Sequence, residues 1–184
     1  MPPGLTYNEA YISEPEADAI VRYIDAAPWR HDLKRRVQHY GYRYDYKARR
    51  SRREDALGPL PEPLRSLATR LAQDGHFPAP PDQAIVNEYL PGQGISAHID
   101  CRPCFGDTIA SLSLLSPCVM RFASRAAPPH DIYLQPRSLL TLRAEARHIW
   151  THAIPARKTD TVEGQKHPRT RRLSITFRTM TFGP

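Results

Sequence analysis

From residue 84 onward, this chain of 184 residues consists largely of short β-type runs, and this feature restricts its fold more than any other. Pro, Gly or charged residues separate most of the runs. Several short strands with regular turns favour a sandwich or barrel over a sheet of alternating strands and helices. We therefore expect a mainly β domain, with strands at residues 84–90, 95–100, 108–115, 118–123, 131–134, 138–143, 148–154 and 171–177.

Two amphipathic helices are predicted before these strands. The first covers residues 13–25, which open with a capping-box spacing and then repeat apolar residues at helical intervals. The second covers residues 62–74 and ends at Gly75. The length suits one compact domain, and the sequence contains no internal repeat. We expect a single domain over residues 1–184.

Residues 29–53 interleave aromatic residues with cations. Tyr40, Tyr42, Tyr44 and Tyr46 alternate around a glycine, which predicts a β-ribbon with its tyrosines on one face. The net charge of +7 favours an anionic partner, and nucleic acid before acidic protein or membrane. The alternative is a solvated basic loop with packed tyrosines.

The three cysteines are an odd number and match no disulfide framework, which favours a reducing, cytoplasmic setting. Cys101 and Cys104 form a C-x-x-C pair, but no second pair follows to complete a zinc site. We interpret them as structural thiols. The alternative is a zinc site to which Cys118 would add a third ligand. No apolar run approaches the roughly 20 residues that span a bilayer. The first residues lack the layout of a signal peptide.

A candidate metal site begins with His98 and Asp100, which are two residues apart and so point to the same side of a strand. Two histidines and one carboxylate fill one face of Fe(II) and leave the other open for an oxo-acid and O₂. Strand parity leaves His148 and His152 open as the second histidine. His167 is a poorer candidate, since it lies in the polar loop 155–170, which we expect to be mobile.

The final strand predicts the site for the oxo-acid. Within residues 172–178 the even-numbered side chains, including Arg172 and Arg178, share one face, and the apolar odd-numbered ones share the other. An uncompensated buried charge costs several kcal/mol, so an inward arginine needs an anionic partner. A dicarboxylate ligand supplies one. The pattern therefore indicates an oxygenase dependent on iron and 2-oxoglutarate.

Taken together, these motifs resemble the AlkB family of 2-oxoglutarate/Fe(II) nucleic-acid dioxygenases. The segments 36–44 and 145–154 look most like the branch that contains the tRNA wobble-uridine hydroxylases. The matching residues are Asn87, Tyr89, His98 and Asp100 of an N-x-Y…H-x-D core, the segment 145–152 with His152 as third ligand, and Arg172, Thr176 and Arg178 of an R-x-N-x-T-x-R strand in which Ser174 stands where many members have Asn.

The resemblance implies a double-stranded β-helix (jelly roll) over residues 84–180, with residues 29–53 as a nucleotide-recognition lid. It implies Fe(II) on His98, Asp100 and His152. For 2-oxoglutarate it implies Arg172 and Tyr89 at the distal carboxylate, Arg178 and Asn87 near the metal-side carboxylate, and Ser174 between them. The expected substrate-binding residues are Arg36, Tyr40, Tyr42 and Trp150, with Trp29 as a further stacking candidate and Arg35, Arg36, Arg43, Arg49, Arg50, Arg52 and Arg53 as phosphate contacts.

Four functions are compatible with this reading. The first is oxidative demethylation of N-alkylated bases in DNA or RNA, with release of formaldehyde, succinate and CO₂. The second is hydroxylation of a modified tRNA wobble base, and the third is hydroxylation of a protein or small molecule. The fourth is an RNA-binding module with a structural zinc, which the arginine pair disfavours because a structural metal needs no dicarboxylate clamp. We infer no obligate protein partner.

Overall fold

Two antiparallel sheets face each other in the computed structural model, which describes residues 1–31, 33–48 and 50–182. Within these ranges the larger sheet has the strand order β1-β8-β5-β12-β3-β2, the smaller has the order β4-β9-β6-β7, and β10 and β11 form a separate hairpin. The strands are β1 Leu5–Asn8, β2 Val37–Tyr40, β3 Gln83–Tyr89, β4 Ile95–His98, β5 Phe105–Leu115, β6 Cys118–Ala123, β7 His130–Leu134, β8 Leu139–Leu142, β9 Thr151–Ile154, β10 Thr159–Val162, β11 Gln165–Pro168 and β12 Arg172–Met180.

Three helices accompany the sheets in the described ranges: α1 Glu14–Ala26, α2 Leu64–Gln73 and α3 Ala144–His148. The Ser13 hydroxyl accepts a hydrogen bond from the Glu16 amide and caps α1. The buried sides of α1 and α2 pack on the outer face of the larger sheet. None of the described helices is long and apolar enough to cross a membrane.

The larger sheet has a different core on each of its faces. Leu173, Ile175 and Phe177 of β12 point outward and pack with α1 and α2. On the inner face, residues of β5 and β8 pack against the apolar residues of the smaller sheet. The alternation predicted for residues 172–178 is therefore confirmed, and the even-numbered side chains of β12 face the space between the sheets.

Three local predictions were wrong. The tyrosine ribbon stops at Tyr40, because Gly41 takes a positive φ of 77° and the chain turns there. The strand expected at residues 148–154 begins only at Thr151, after the short helix α3. The polar loop 155–170 contains the paired hairpin of β10 and β11.

The cysteines also differ from the prediction. Cys101 and Cys104 are joined by a disulfide, because the loop after β4 brings their Cα atoms to 5.3 Å. Cys118 is a buried free thiol on β6, as expected for a structural thiol.

Candidate active site

The two histidines and the aspartate of the predicted metal site meet at one edge of the smaller sheet. His98, at the end of β4, pairs with His152 of β9, and their ring centroids are 4.4 Å apart. Asp100 follows two residues after His98. Each residue offers one ligand atom, and these atoms lie within 4.8 Å of one another. Pairing of β4 with β9 thus selects His152, whereas His148 lies on α3 beside Asp107.

The protonation of these three groups suits a cation. His98 Nδ1 lies 2.8 Å from the Ser96 carbonyl, to which it donates, so Nε2 keeps its lone pair. Burial lowers the pKa of His152 to about 4, so this ring is neutral at neutral pH. Burial alone raises the pKa of Asp100, but the positive charge of Arg178 holds it well below its usual range. The donor set is therefore two imidazoles and one carboxylate.

This donor set fits Fe(II). Imidazole and carboxylate oxygen are ligands that suit this ion, and three of them leave open positions for further ligands. The Nδ1 atom of His152 is buried without a hydrogen-bond partner among the described residues. A buried polar atom without a hydrogen-bond partner is costly. A role of the His152 ring as a metal ligand would account for this cost.

Arg172 lies at the other end of the inner face of β12 and is 2% exposed. Its Nη2 donates to the Ser113 hydroxyl at 2.9 Å, and its guanidinium lies 5.5 Å from the centre of the Tyr89 ring. Its Nε and Nη1 are buried and have no hydrogen-bond partner among the described residues. A buried cation with two unused donors fits a carboxylate ligand, which accepts two parallel hydrogen bonds from a guanidinium.

Arg178 lies near the metal ligands. Its Nε donates to Asp100 Oδ2 at 3.3 Å and its Nη1 to Gln83 Oε1 at 3.2 Å. Farther along the inner face, Ser174 and Ser111 share a hydrogen bond of 2.9 Å. The predicted cosubstrate residues thus lie on one continuous face, and their individual roles toward 2-oxoglutarate remain predictions.

A cavity of about 290 Å³ opens between the two sheets beside the metal ligands. Asn87, Tyr89, Ser174 and Arg178 line it together with His98, Asp100 and His152. Arg35, Tyr44 and Tyr46, from the segment between α1 and α2, form another part of its wall.

None of the four residues predicted to bind substrate is among the described residues that line this cavity. Tyr40 packs against the core, with its hydroxyl on Gln38, and Tyr42 packs against Phe182. Trp150 is buried between the sheets. The Arg36 guanidinium lies over Trp29 and pairs with Glu88, while Arg49 lies outside the described residues. The turn at Gly41 ends the alternation that grouped Tyr40 with Tyr42, Tyr44 and Tyr46.

The family comparison agrees with this geometry. The family model for the 2OG-Fe(II) oxygenase superfamily matches residues 4–178. The chain belongs to this superfamily. Its similarity to AlkB homologues, described next, makes it a member of the AlkB family. It is accordingly a dioxygenase that uses Fe(II) and 2-oxoglutarate, as predicted.

Among curated relatives, "tRNA (carboxymethyluridine(34)-5-O)-methyltransferase ALKBH8" of Mus musculus is 38% identical over 90% of this chain and 26% of the mouse protein. "Uncharacterized protein L905" of Acanthamoeba polyphaga mimivirus is 35% identical over 95% of this chain and 84% of the viral protein. "Alkylated DNA repair protein ALKBH8 homolog" of Arabidopsis thaliana is 36% identical over 96% of this chain and 58% of the plant protein. The chain thus spans only part of the mouse and plant relatives.

The solved structure titled "The structure of OsALKBH1" superposes with a TM-score of 0.73 at 19% identity, over 97% of this chain and 98% of that one. At this identity the likeness concerns the fold. It confirms the jelly roll that the resemblance implied for this dioxygenase.

Sequence reasoning missed several residues of the dioxygenase site. Ser111 and Ser113 interrupt the apolar run of β5, and this interruption is the signal that could have found them. Arg35 was predicted only as a phosphate contact, but its Nε donates to Asn87 Oδ1 at 2.8 Å, a contact that no local spacing indicates. Arg147 lies in the family-like segment 145–152, and sequence reasoning assigned it no role of its own. Its side chain nevertheless contacts the loop that carries Asp100.

Proposed function

We propose that this dioxygenase oxidises a base of a nucleic acid that enters the cavity as an unpaired nucleotide, and that its substrate is a modified uridine of tRNA. The observation that carries the proposal is that Arg35, Tyr44 and Tyr46 line the same cavity as the iron ligands, with the two tyrosine ring centroids 5.2 Å apart. Aromatic rings and a guanidinium are the side chains that hold an extruded base by stacking, at about 1–3 kcal/mol per base.

The Tyr46 hydroxyl keeps its proton and can donate a hydrogen bond to a base. The His39 ring accepts a hydrogen bond from the Tyr44 amide at Nδ1, so its neutral form carries the proton on Nε2. Nε2 lies 3.3 Å from the Tyr46 hydroxyl and donates to it. The phenol proton then points elsewhere, and burial raises the pKa of Tyr46 to about 12, so the proton is retained. Tyr46 is therefore a hydrogen-bond donor suited to a carbonyl oxygen of a base.

Charge around the cavity supports an anionic substrate. The chain carries a net charge of +7, and residues 35–53, which contribute Arg35, Tyr44 and Tyr46 to the cavity wall, contain several further arginines. Arg43, Arg50 and Arg52 are exposed there and are suited to phosphate contacts, which position a nucleic acid without reading its sequence. We include in the proposal that residues 29–53 form the recognition lid.

The comparisons favour tRNA as the first candidate. The mouse relative is named for carboxymethyluridine at position 34 of tRNA, and this chain matches 26% of its length. The methyltransferase activity in that name is not part of our proposal. What we carry over is the class of substrate, a uridine with a carbon substituent.

In this proposal the residues divide the work between two ends of the cavity. When bound, iron and 2-oxoglutarate supply the oxidation of a C–H bond by O₂, with succinate and CO₂ as coproducts. His98, Asp100 and His152 would hold the iron, and the unused donors of Arg172 would hold the distal carboxylate. Tyr44 and Tyr46 would orient the base so that its substituent faces the iron and would exclude water.

Oxidative demethylation of an N-alkylated base is the second candidate. The observation in its favour is the name of the Arabidopsis relative, which refers to alkylated DNA repair. The same residues would serve it, because hydroxylation of an N-methyl group gives a hydroxymethyl group that leaves as formaldehyde.

One experiment separates the two candidates. The iron-loaded protein is incubated with 2-oxoglutarate and either an anticodon stem-loop containing 5-carboxymethyluridine or oligonucleotides containing 1-methyladenine or 3-methylcytosine. A gain of one oxygen on the uridine, detected by mass spectrometry and absent with Asp100→Ala, supports the first candidate. Loss of one CH₂ with formaldehyde release supports the second. Succinate formed without change in any of these nucleic acids overturns the nucleic-acid proposal and favours a protein or small-molecule substrate.

A further inference from the structure

We propose that Arg147 is a positioning residue that holds Asp100 at the correct distance from His152, so that the iron ligands are assembled before the metal binds. The proposal concerns the metal centre alone. It holds for either candidate substrate.

Arg147 makes four hydrogen bonds to the loop between β4 and β5 and to the first two residues of β5, and all four acceptors are backbone carbonyls. Nη1 donates to the carbonyl of Asp100 at 3.0 Å, and Nη2 to that of Cys101 at 3.2 Å. Nη2 also donates to the carbonyl of Phe105 at 3.2 Å, and Nε to that of Gly106 at 3.1 Å. The guanidinium thus connects both ends of the loop that begins with the carboxylate ligand.

Burying the Arg147 guanidinium is energetically costly, and this cost is the reason to assign Arg147 a role. Arg147 is 2% exposed, and no carboxylate among the described residues forms an ion pair with it. Burial also lowers the pKa of Arg147, which reflects the penalty for a desolvated cation. A packed apolar side chain would fill this volume without that penalty. The four hydrogen bonds that Arg147 donates to backbone carbonyls at the two ends of this loop account for the buried cation.

The position of Arg147 in the chain relates it to both sides of the metal site. It lies on α3, and His152 follows five residues later on β9. One short segment therefore supplies the second histidine and fixes the loop of Asp100. Two further contacts join the same elements: Arg102 of the loop donates to the His148 carbonyl, and His148 Nε2 lies 3.2 Å from Asp107 Oδ1.

The test compares Arg147→Met and Arg147→Lys with Arg169→Met as a matched control. Arg169 is a second buried arginine, but its partners are Asp160 and the Pro155 carbonyl. Co(II) is titrated into each metal-free protein, and affinity is read from its visible absorption. Loss of a group that orients a metal ligand costs about 10- to 100-fold in metal affinity, so we expect that loss for Arg147→Met. We expect a smaller loss for lysine, which has three donors instead of five, and a change within about twofold for the control.

A second measurement uses no metal. Hydrogen exchange of the amides at residues 100–106 in the metal-free protein is expected to become faster in both Arg147 variants and to stay unchanged in Arg169→Met. If Arg147→Met does not fold, Arg147→Lys carries the test. Wild-type Co(II) affinity in a folded Arg147 variant, or unchanged exchange in this loop, overturns the proposal and leaves Arg147 with a packing role alone.

Discussion

The inner face of β12 and the segment 35–53 both border the cavity, yet their side chains are placed in different ways. β12 is paired on both sides, with β3 and with β5, so the pleat fixes the direction of each residue. In the other segment only Val37–Tyr40 is a strand, and beyond Gly41 the pairing is reduced to isolated bridges such as Tyr42 with Ala56. Alternation in the sequence therefore determines side-chain direction in the first region and not in the second.

This difference matches the two kinds of chemistry at the site. Iron and 2-oxoglutarate are the same for every member of the superfamily, and the residues that fit them lie on paired strands or next to them. Tyr44, Tyr46 and Arg35, which border the cavity, lie outside the paired strands. Recognition can change there without disturbing the metal centre, because few strand hydrogen bonds depend on those residues.

The largest effect is expected at the metal ligands. Asp100→Ala removes the only carboxylate of the site among the described residues, so it should abolish turnover of 2-oxoglutarate both with and without a nucleic acid. Succinate release measures both rates. Asp131→Ala, which removes an exposed carboxylate paired with Arg121, should leave them unchanged. Substantial succinate formation by Asp100→Ala would contradict the assignment of the ligand set.

Arg172 is expected to have the next largest effect. Hydrogen bonds to a charged group contribute about 1.5–3 kcal/mol, so Arg172→Met should raise the Kd for 2-oxoglutarate by about 10- to 100-fold. Quenching of tryptophan fluorescence by 2-oxoglutarate in the presence of Mn(II) gives this constant. Arg171→Met is the control, because Arg171 is the adjacent residue but its guanidinium is already paired with Asp25 and Glu88. Equal Kd values for the two variants would show that strand parity does not define the cosubstrate site.

The arginines of β12 and the histidine ligands also show how much of the site the sequence predicts. Strand parity and spacing predicted the direction of Arg172 and Arg178, and the family motif selected His152 over His148. What selects His152 in the fold is the pairing of β4 with β9, which is a contact between segments far apart in the chain. For the same reason the sequence could not place Arg35 against Asn87 or Arg147 against the Asp100 loop. It grouped Tyr40, Tyr42, Tyr44 and Tyr46 on one face of a ribbon, and the positive φ at Gly41 ends that alternation.

A smaller effect is expected from the tyrosines, and it tests the second region directly. Tyr46→Phe removes the hydroxyl of a residue that lines the cavity. The loss of one hydrogen bond of about 1 kcal/mol should raise the substrate KM about fivefold. Succinate formation without substrate should not change, since the metal centre is untouched. Tyr42→Phe is the matched control, because Tyr42 is not among the described residues that line the cavity. A larger KM for Tyr42→Phe than for Tyr46→Phe would restore the predicted ribbon as the recognition surface.

The smallest effect on enzymatic activity is expected at Glu88, which connects the two regions. Its side chain is 2% exposed and accepts hydrogen bonds from Arg36, just before β2, and from Arg171, just before β12. The Arg36 hydrogen bond lowers the pKa of Glu88 below its ordinary value of 4.5, in spite of burial. A carboxyl whose folded pKa is depressed stabilises the fold above the unfolded pKa, and this contribution is lost as the pH falls through the folded value.

Glu88→Gln should therefore lower the free energy of unfolding by about 2 kcal/mol at neutral pH, the value of a hydrogen bond to a charged group. The difference from wild type should shrink as the pH falls below 4.5, the ordinary pKa of the group. Urea unfolding at neutral and acidic pH measures both quantities, and Glu62→Gln, at an exposed pair with Arg65, is the control. Because Arg36 begins the segment that reaches the cavity, Glu88→Gln should also raise the substrate KM while leaving the Kd for 2-oxoglutarate unchanged. A rise in both constants would mean that the two regions do not act separately and that Glu88 stabilises one common unit.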